Sequence, residues 1–159
     1  MSQLSVIANS RKMGSVEFLR NRLTFRYDED WRNTAAGFPL SVSMPLSRRE
    51  HPHDVIESYL WGLLPDNRLV IEQWGRKFQV SPNNVFRLIE QVGEDCAGAV
   101  QFIPEEREAT LLDRAESDDL TWISSGELAA RIRELVRDDA STRNPRDWSQ
   151  PQDPPGTPL

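Results

Sequence analysis

The chain has 159 residues, of which 38% are apolar and 28% charged, a composition typical of one domain with a core of ordinary size. Lys and Arg number 19 against 25 for Asp and Glu, so the net charge is −6, which argues against direct binding along a nucleic-acid backbone. Because no apolar run approaches the roughly 20 residues of a membrane helix and Met1 does not open a secretory signal, we expect a cytoplasmic protein without a membrane partner.

The first part of the chain predicts a β-meander. Short apolar segments separated by turn-forming residues stand at 4–8, 13–19 and 23–27. Leu23, Phe25 and Tyr27 alternate with polar residues, which is typical of a half-buried strand.

A further strand is predicted between Pro39 and Pro45. Ser41 and Ser43 alternate there with the apolar residues Leu40, Val42 and Met44. Pro45 is expected to end this strand because proline cannot donate a ladder hydrogen bond.

Three amphipathic helices are predicted next. The apolar stripe of the first consists of Val55, Ile56, Tyr59, Leu60 and Leu63, and Pro65 ends that helix. Asp66 or Asn67 is expected to cap the second helix, whose apolar positions are Leu69, Val70, Trp74 and Phe78. The third follows Ser81-Pro82, with Val85, Phe86, Leu88, Ile89 and Val92 on its buried side, and Gly93 is expected to end it. Strand character returns from Gly98 to Ile103.

The rest of the chain divides by composition. We expect the core of the domain at 1–104 and a solvated acidic connection at 105–119. A strand and an amphipathic helix at 120–139 are expected to complete the domain, and a Pro-rich disordered tail or linker occupies 140–159. Ser124 or Ser125 is expected to cap that helix. Its inward-facing residues are expected to be Leu128, Ile132, Leu135 and Val136.

The residues indicate no catalytic, cofactor-binding or metal site. The only histidines are His51 and His53, and a metal site made from them and Glu57 is disfavoured because an acidic residue at a helix start is explained by the helix dipole. Gly93 and Gly98 have the spacing of a phosphate-binding loop, but Ala99-Val100 stand where Lys and Ser/Thr are needed. Cys96 is the single cysteine of the sequence and has no disulfide partner within the chain. We interpret it as a small buried residue rather than a reactive thiol.

Four segments together resemble the N-terminal subdomain of HipA-like serine/threonine kinase toxins. They are the meander from Leu4 to Tyr27 with Gly14 and the following Trp31, the proline-bounded segment from Pro39 to Leu46, the helix end from Gly62 to Asn67, and the segment from Gly93 to Pro104. The motif positions are Pro39, Ser41, Ser43, Pro45, Leu63, Leu64, Pro65, Gly93 and Gly98.

The resemblance implies an α+β fold in which a small antiparallel sheet rolls toward a barrel and packs against several helices. It also implies a place in front of a kinase core that binds ATP and magnesium and phosphorylates aminoacyl-tRNA synthetases. The family's catalytic positions lie beyond the region that is matched, so this chain alone is expected to be non-catalytic and to hold no cofactor.

Two roles remain open under the resemblance. In the first, the chain belongs to a type II toxin–antitoxin kinase, supports its kinase lobe in cis, and helps to bind a HipB-like helix-turn-helix antitoxin, so that operator DNA is reached only indirectly. In the second, it is a separate regulatory or antitoxin module of a split Hip system that binds and inhibits a kinase in trans. Trp61, Asp66 and Asn67 are the candidate partner-binding residues, because a part-exposed Trp beside a fixed corner is a good anchor.

Overall fold

A computed structural model describes residues 2–95, 99–110 and 122–137. The fold is α+β, as predicted. The strands are β1 (Ser2–Ala8), β2 (Arg11–Leu19), β3 (Arg22–Tyr27), β4 (Glu50–His51) and β5 (Val100–Pro104). The helices are α1 (Glu29–Asn33), α2 (His53–Trp61), α3 (Arg68–Phe78), α4 (Val85–Val92) and α5 (Ser125–Arg137), with short 3₁₀ turns at Gly93–Asp95 and Glu105–Arg107.

The sheet is antiparallel, and its five described strands follow the order β4-β3-β2-β1-β5. Within the described residues it is open, with β4 and β5 at its edges, so the expected rolling toward a barrel does not reach closure. One face of the sheet packs against α2, α3 and α4 through a continuous apolar core. Its largest fully buried side chains include Trp31, Tyr27, Phe25, Phe86 and Phe102.

The predicted meander is confirmed. Both of its hairpins turn on two residues with positive φ, Asn9 and Ser10 in the first and Arg20 and Asn21 in the second. This backbone matches the right-handed twist of the paired strands. Gly14 lies where β2 approaches β3 most closely, since a Cβ at this position would stand 2.3 Å from the Arg26 carbonyl oxygen.

The strand predicted between Pro39 and Pro45 is wrong, because this segment is a tight turn. The Met44 N–H donates to the Ser41 carbonyl at 2.9 Å, and Val42 projects from the apex with 96% of its surface exposed. The Tyr27 hydroxyl accepts from the Leu40 N–H at 2.7 Å and donates to the Met44 carbonyl at 2.5 Å. One buried side chain thus takes the backbone groups that a strand would have paired with a neighbour.

Helices α2, α3 and α4 follow the predicted apolar stripes with one change. Of the two residues expected to cap α3, Asn67 is the cap, since its Oδ1 accepts from the Leu69 N–H at 3.0 Å. Leu69, one of the apolar positions assigned to this helix, lies in its first turn away from the buried residues Val70, Ile71 and Trp74, and 68% of it is exposed.

Helix α4 begins at Val85, because the Asn84 side chain accepts from the Arg87 N–H at 3.1 Å and caps it there. Gly93 follows the helix as predicted, but its φ of −66° is ordinary. A Cβ on Gly93 would lie 2.7 Å from the Phe102 carbonyl, so close approach to β5 explains the glycine. Gly98 and Cys96 lie outside the described residues.

The start of the acidic segment is attached to the second face of the sheet. Ser5, which is fully buried, donates to Glu108 Oε2 at 2.6 Å, and Lys12 Nζ lies 2.6 Å from the same oxygen. Arg107 pairs with Glu94 at 2.6 Å. The remainder of the predicted connection, at 111–121, lies outside the described residues.

Helix α5 begins with a capping box. The Ser124 Oγ accepts from the Glu127 N–H at 3.3 Å, and the Glu127 carboxylate accepts from the Ser124 N–H at 2.7 Å. Leu128 and Ile132 are 48% and 52% exposed, so the prediction that they point inward is wrong. A helical period shows that a face is apolar but not what covers it. The side chains of Leu135 and Val136, and the predicted tail at 140–159, lie outside the described residues.

Candidate protein-interaction surface

The corner between α2 and α3, residues 61–69, is held in place by its own backbone. The helix tightens at its end, where Leu63 and Leu64 donate N–H bonds to the carbonyls of Leu60 and Trp61 at 3.2 and 3.1 Å. Pro65 then prevents the helix from continuing. Leu64 is only 6% exposed and anchors the corner to the core. A surface built this way presents its side chains in a fixed orientation.

Trp61, the last residue of α2, is 36% exposed, and Leu69 in the first turn of α3 is 68% exposed. Asp66, which is also exposed, lies between them along the chain. The corner thus exposes two large apolar side chains and one carboxylate. A rigid aromatic gives contact area at a small entropic cost, which suits a protein partner better than a small solute.

The three predicted site residues differ in what the fold requires of them. Asn67 is exposed, but its side chain is engaged as the N-cap of α3. Trp61 and Asp66 serve no such capping role. Leu69 was missed, because the apolar pattern groups it with Val70; treating Asn67 as the cap would have placed Leu69 in the exposed first turn.

The other motif residues have mainly structural positions. Leu63 is partly buried against the core, whereas Pro65, Pro39 and Pro45 are exposed. The Ser41 and Ser43 hydroxyls lie 3.1 Å apart in the tight turn, and the Ser43 N–H donates to the Ser41 Oγ at 3.4 Å. These hydrogen bonds hold the turn from which Val42 projects, a third exposed apolar side chain in addition to Trp61 and Leu69.

The two histidines face different parts of the structure. His51 is buried, and its Nε2 lies 3.0 Å from the Arg48 carbonyl, while His53 Nδ1 accepts from the Leu23 N–H at 3.1 Å. Burial lowers the pKa of His51, so its neutral form is favoured in the fold. Across residues 2–95, 99–110 and 122–137, no three His, Cys, Asp or Glu side chains group closely enough to hold a metal ion.

In the same described ranges, no helix is long and apolar enough to cross a bilayer.

Comparison with known families places this geometry in context. The family model described as HipA N-terminal domain matches residues 4–103. The chain is 37% identical over 98 residues to the serine/threonine-protein kinase toxin HipA of Shewanella oneidensis, which is 58% of this chain and 21% of that protein. It is also 37% identical over 86 residues to a Sinorhizobium fredii protein named "Putative kinase Y4mE", which is 53% of this chain and 20% of that protein.

A solved structure agrees with these relatives. One chain in the Shewanella oneidensis complex of HipA, HipB and operator DNA superposes with a TM-score of 0.61 at 27% identity. The match covers 82% of this chain and 29% of that chain. This is a larger share than residues 4–103 represent, so the structural match extends past Ile103. The chain spans about a fifth of the length of the curated relatives that it matches.

Proposed function

Since this chain belongs to the HipA N-terminal domain family, we propose that it acts as the non-catalytic N-terminal subdomain of a HipA-like serine/threonine kinase toxin. It supports the kinase lobe and contributes to binding of the antitoxin in a type II toxin–antitoxin system. The relatives with which it aligns are kinases by name, and the region they share with it is only about a fifth of their length.

The observation that carries the proposal is the exposed corner. Trp61 is held by a backbone that is anchored at Leu64, and a second exposed apolar residue, Leu69, stands at the other end of the same corner. An exposed aromatic on a fixed corner loses little conformational freedom when a partner covers it. We assign Trp61 and Leu69 to the contact with the kinase core, and Asp66 to its polar rim.

The antitoxin is proposed to be a HipB-like helix-turn-helix protein. A solved relative is a complex of HipA, HipB and operator DNA, and this chain superposes on part of it. With a net charge of −6 the chain itself is poorly suited to phosphate contacts, so operator DNA is reached only through the antitoxin.

Binding to a HipA-type kinase core is tested with Trp61→Ala. We expect the substitution to weaken binding about tenfold or more, as buried aromatic anchors do, in calorimetric titration with the purified core. Trp122→Ala is the matched control, because Trp122 is 90% exposed on a different segment. If Trp122→Ala weakens binding and Trp61→Ala does not, the corner is the wrong surface.

The absence of a catalytic role is tested with nucleotide. The ATP and magnesium of the proposed enzyme belong to its kinase core, so we expect the melting temperature of this chain to be unchanged by Mg·ATP. A saturable rise would contradict the proposal, because a ligand that binds only the folded state stabilises it.

A second function has the same surface acting in trans. In this alternative the chain is a separate regulatory or antitoxin module of a split Hip system that inhibits its kinase, and the corner covers the partner's active face. The two are distinguished by measuring kinase activity with increasing amounts of the chain. Inhibition that is lost in Trp61→Ala favours the separate module, whereas unchanged or increased activity favours the supporting subdomain.

A further inference from the structure

A cleft of about 260 Å³ lies next to the β2–β3 hairpin, apart from the corner. Phe18 is its partly exposed apolar residue, and the Phe18 ring stacks on the buried ring of Phe86 with centroids 5.0 Å apart. Leu23 and Val85 also line the cleft but are almost fully buried. The volume is below the roughly 300–1,000 Å³ of sites that enclose drug-sized molecules. The cleft therefore has room for one amino-acid side chain but not for a nucleotide.

The wall of the cleft is rich in hydrogen-bond acceptors. Leu23 donates its N–H to His53 Nδ1 at 3.1 Å, so a neutral imidazole carries its proton on Nε2, which lies 3.4 Å from Glu57 Oε2. The Glu57 side chain is 42% exposed and thus reachable from solvent. Among the described residues, the carboxamides of Asn21 and Asn83 make no hydrogen bond and also line the cleft.

This combination selects for a long cationic side chain. An aliphatic stem can lie along the exposed part of the Phe18 ring while its charged end reaches the wall. The planar guanidinium offers five donors, enough for both Glu57 oxygens and a neighbouring carboxamide oxygen. A lysine ammonium is a compact charge with three donors and makes fewer of these bonds at once.

We propose that this cleft binds one arginine side chain of a partner protein. The stem packs on the Phe18 ring, and the guanidinium pairs with Glu57 and the Asn21 or Asn83 carboxamide. The charge of the chain, −6, favours a basic partner. The inference stands on the cleft alone and does not depend on the proposed contact between the corner and a kinase.

His53 Nε2 lies 3.4 Å from Glu57 Oε2, but a carboxylate has two oxygens that can each accept further hydrogen bonds, so Glu57 can still pair with a guanidinium. The nearby arginines do not compete for it. Arg87, next to Phe86, is paired with Glu90 at 2.7 Å. Arg22 lies on the face of β3 opposite to Leu23, because consecutive strand residues alternate between faces.

The test is a titration of the ¹⁵N-labelled full chain with N-acetyl-arginine-N-methylamide, followed by NMR. We expect saturable shifts at the Leu23 backbone amide and at the side-chain amides of Asn21 and Asn83. In Glu57→Gln the affinity falls roughly three- to tenfold, since the lost charge pair is partly exposed. Glu72→Gln is the matched control, because Glu72 also pairs with a residue one turn earlier, Arg68, but lies far along the chain on α3.

Three results would overturn the proposal. The first is the absence of a saturable shift at these groups, and the second is an equal loss of affinity in Glu57→Gln and Glu72→Gln. The third is stronger binding of N-acetyl-glutamate-N-methylamide, which would make the hairpin arginines the recognising groups. Asn83→Ala, an exposed loop variant, gives a second test with a smaller expected loss of affinity.

Discussion

The hydroxyl of Tyr27 determines how the chain runs between α1 and β4. It bonds the backbone at Leu40 and at Met44, and both of those side chains are buried in consequence. Burial raises the pKa of Tyr27, although the bond from the Leu40 N–H opposes this effect, so the protonated form that donates to Met44 is favoured.

Tyr27→Phe removes both bonds while the ring stays in place. A buried N–H and a buried carbonyl are then left without partners, and we expect the free energy of unfolding to fall by about 2 kcal/mol. Urea unfolding monitored by circular dichroism measures this change. Ser41→Ala in the same turn is the control and should have little effect; equal losses in both variants would show that the hydroxyl is not what holds the turn.

Two glycines of the motif segments differ in how much space a side chain would have. A Cβ on Gly14 would lie 2.3 Å from the Arg26 carbonyl oxygen, whereas a Cβ on Gly62 would meet nothing nearer than 3.4 Å. We expect Gly14→Ala to destabilise the fold by more than about 2 kcal/mol through overpacking. Gly62→Ala should be neutral or stabilising by up to about 1 kcal/mol, because alanine restricts the unfolded chain.

Thermal unfolding of both glycine variants tests this difference. If Gly14→Ala has the same melting temperature as the parent chain, β2 and β3 can move apart without a loss of stability. Close approach of the two strands would then not explain the glycine.

At the scale of elements, the cap of α3 separates a structural role from a binding role. Asn67→Ala removes the bond to the Leu69 N–H and should cost about 1 kcal/mol of stability. Asp66→Ala leaves the cap intact, and its effect should appear in partner binding instead. Chemical unfolding and titration with the kinase core, done on both variants, distinguish the two; a larger stability loss in Asp66→Ala would contradict the assignment of the cap.

Elements whose signals are local were predicted correctly. The alternation at Leu23, Phe25 and Tyr27 and the apolar stripes of α2 and α4 lie within single elements and reflect burial directly. The segment from Leu40 to Met44 alternates as well, but a hydroxyl at Tyr27, distant in sequence, takes its backbone groups. No local pattern can report such a bond.

The candidate site was predicted only in part, because some of its features depend on contacts between residues that are distant in sequence. Trp61 follows from the helix phase and the proline corner, although its exposure depends on how α2 packs. The arginine-sized cleft was not predicted, because it is assembled from Phe18, Glu57 and Phe86, which only the fold brings together. The exposure of Leu128 and Ile132 likewise depends on which residues pack against α5, and the periodicity of a helix does not predict its packing partners.

At the scale of the whole molecule, Glu108 ties the segment after β5 to the first hairpin. Burial raises the pKa of Glu108, but the hydrogen bonds from Lys12 and Ser5 outweigh burial and leave this pKa below its usual value of 4.5. The unfolded chain therefore binds a proton more readily than the folded one at pH values just below 4.5. The stabilisation is complete above that pH and is lost as the pH falls through the folded pKa.

We expect Glu108→Gln to lower stability at neutral pH and to differ less from the parent chain as the pH falls from 4.5 through the folded pKa of Glu108, where the parent carboxylate becomes protonated as well. Melting temperatures across this range test the prediction. Glu105→Gln, at an exposed position before Glu108, is the control and should follow the parent curve. A constant difference at all pH values would show that packing rather than charge holds the segment.

The pairing of β1 with β5 places Leu4 directly opposite Pro104. The strands are antiparallel, so the polypeptide enters and leaves the family unit at the same end of two neighbouring strands. A unit whose first and last strands are neighbours can be joined to another domain at one place on its surface, without a connection that runs across its body. We expect a circular permutant that joins Pro104 to Leu4 by a short loop to keep the pairing of β1 with β5.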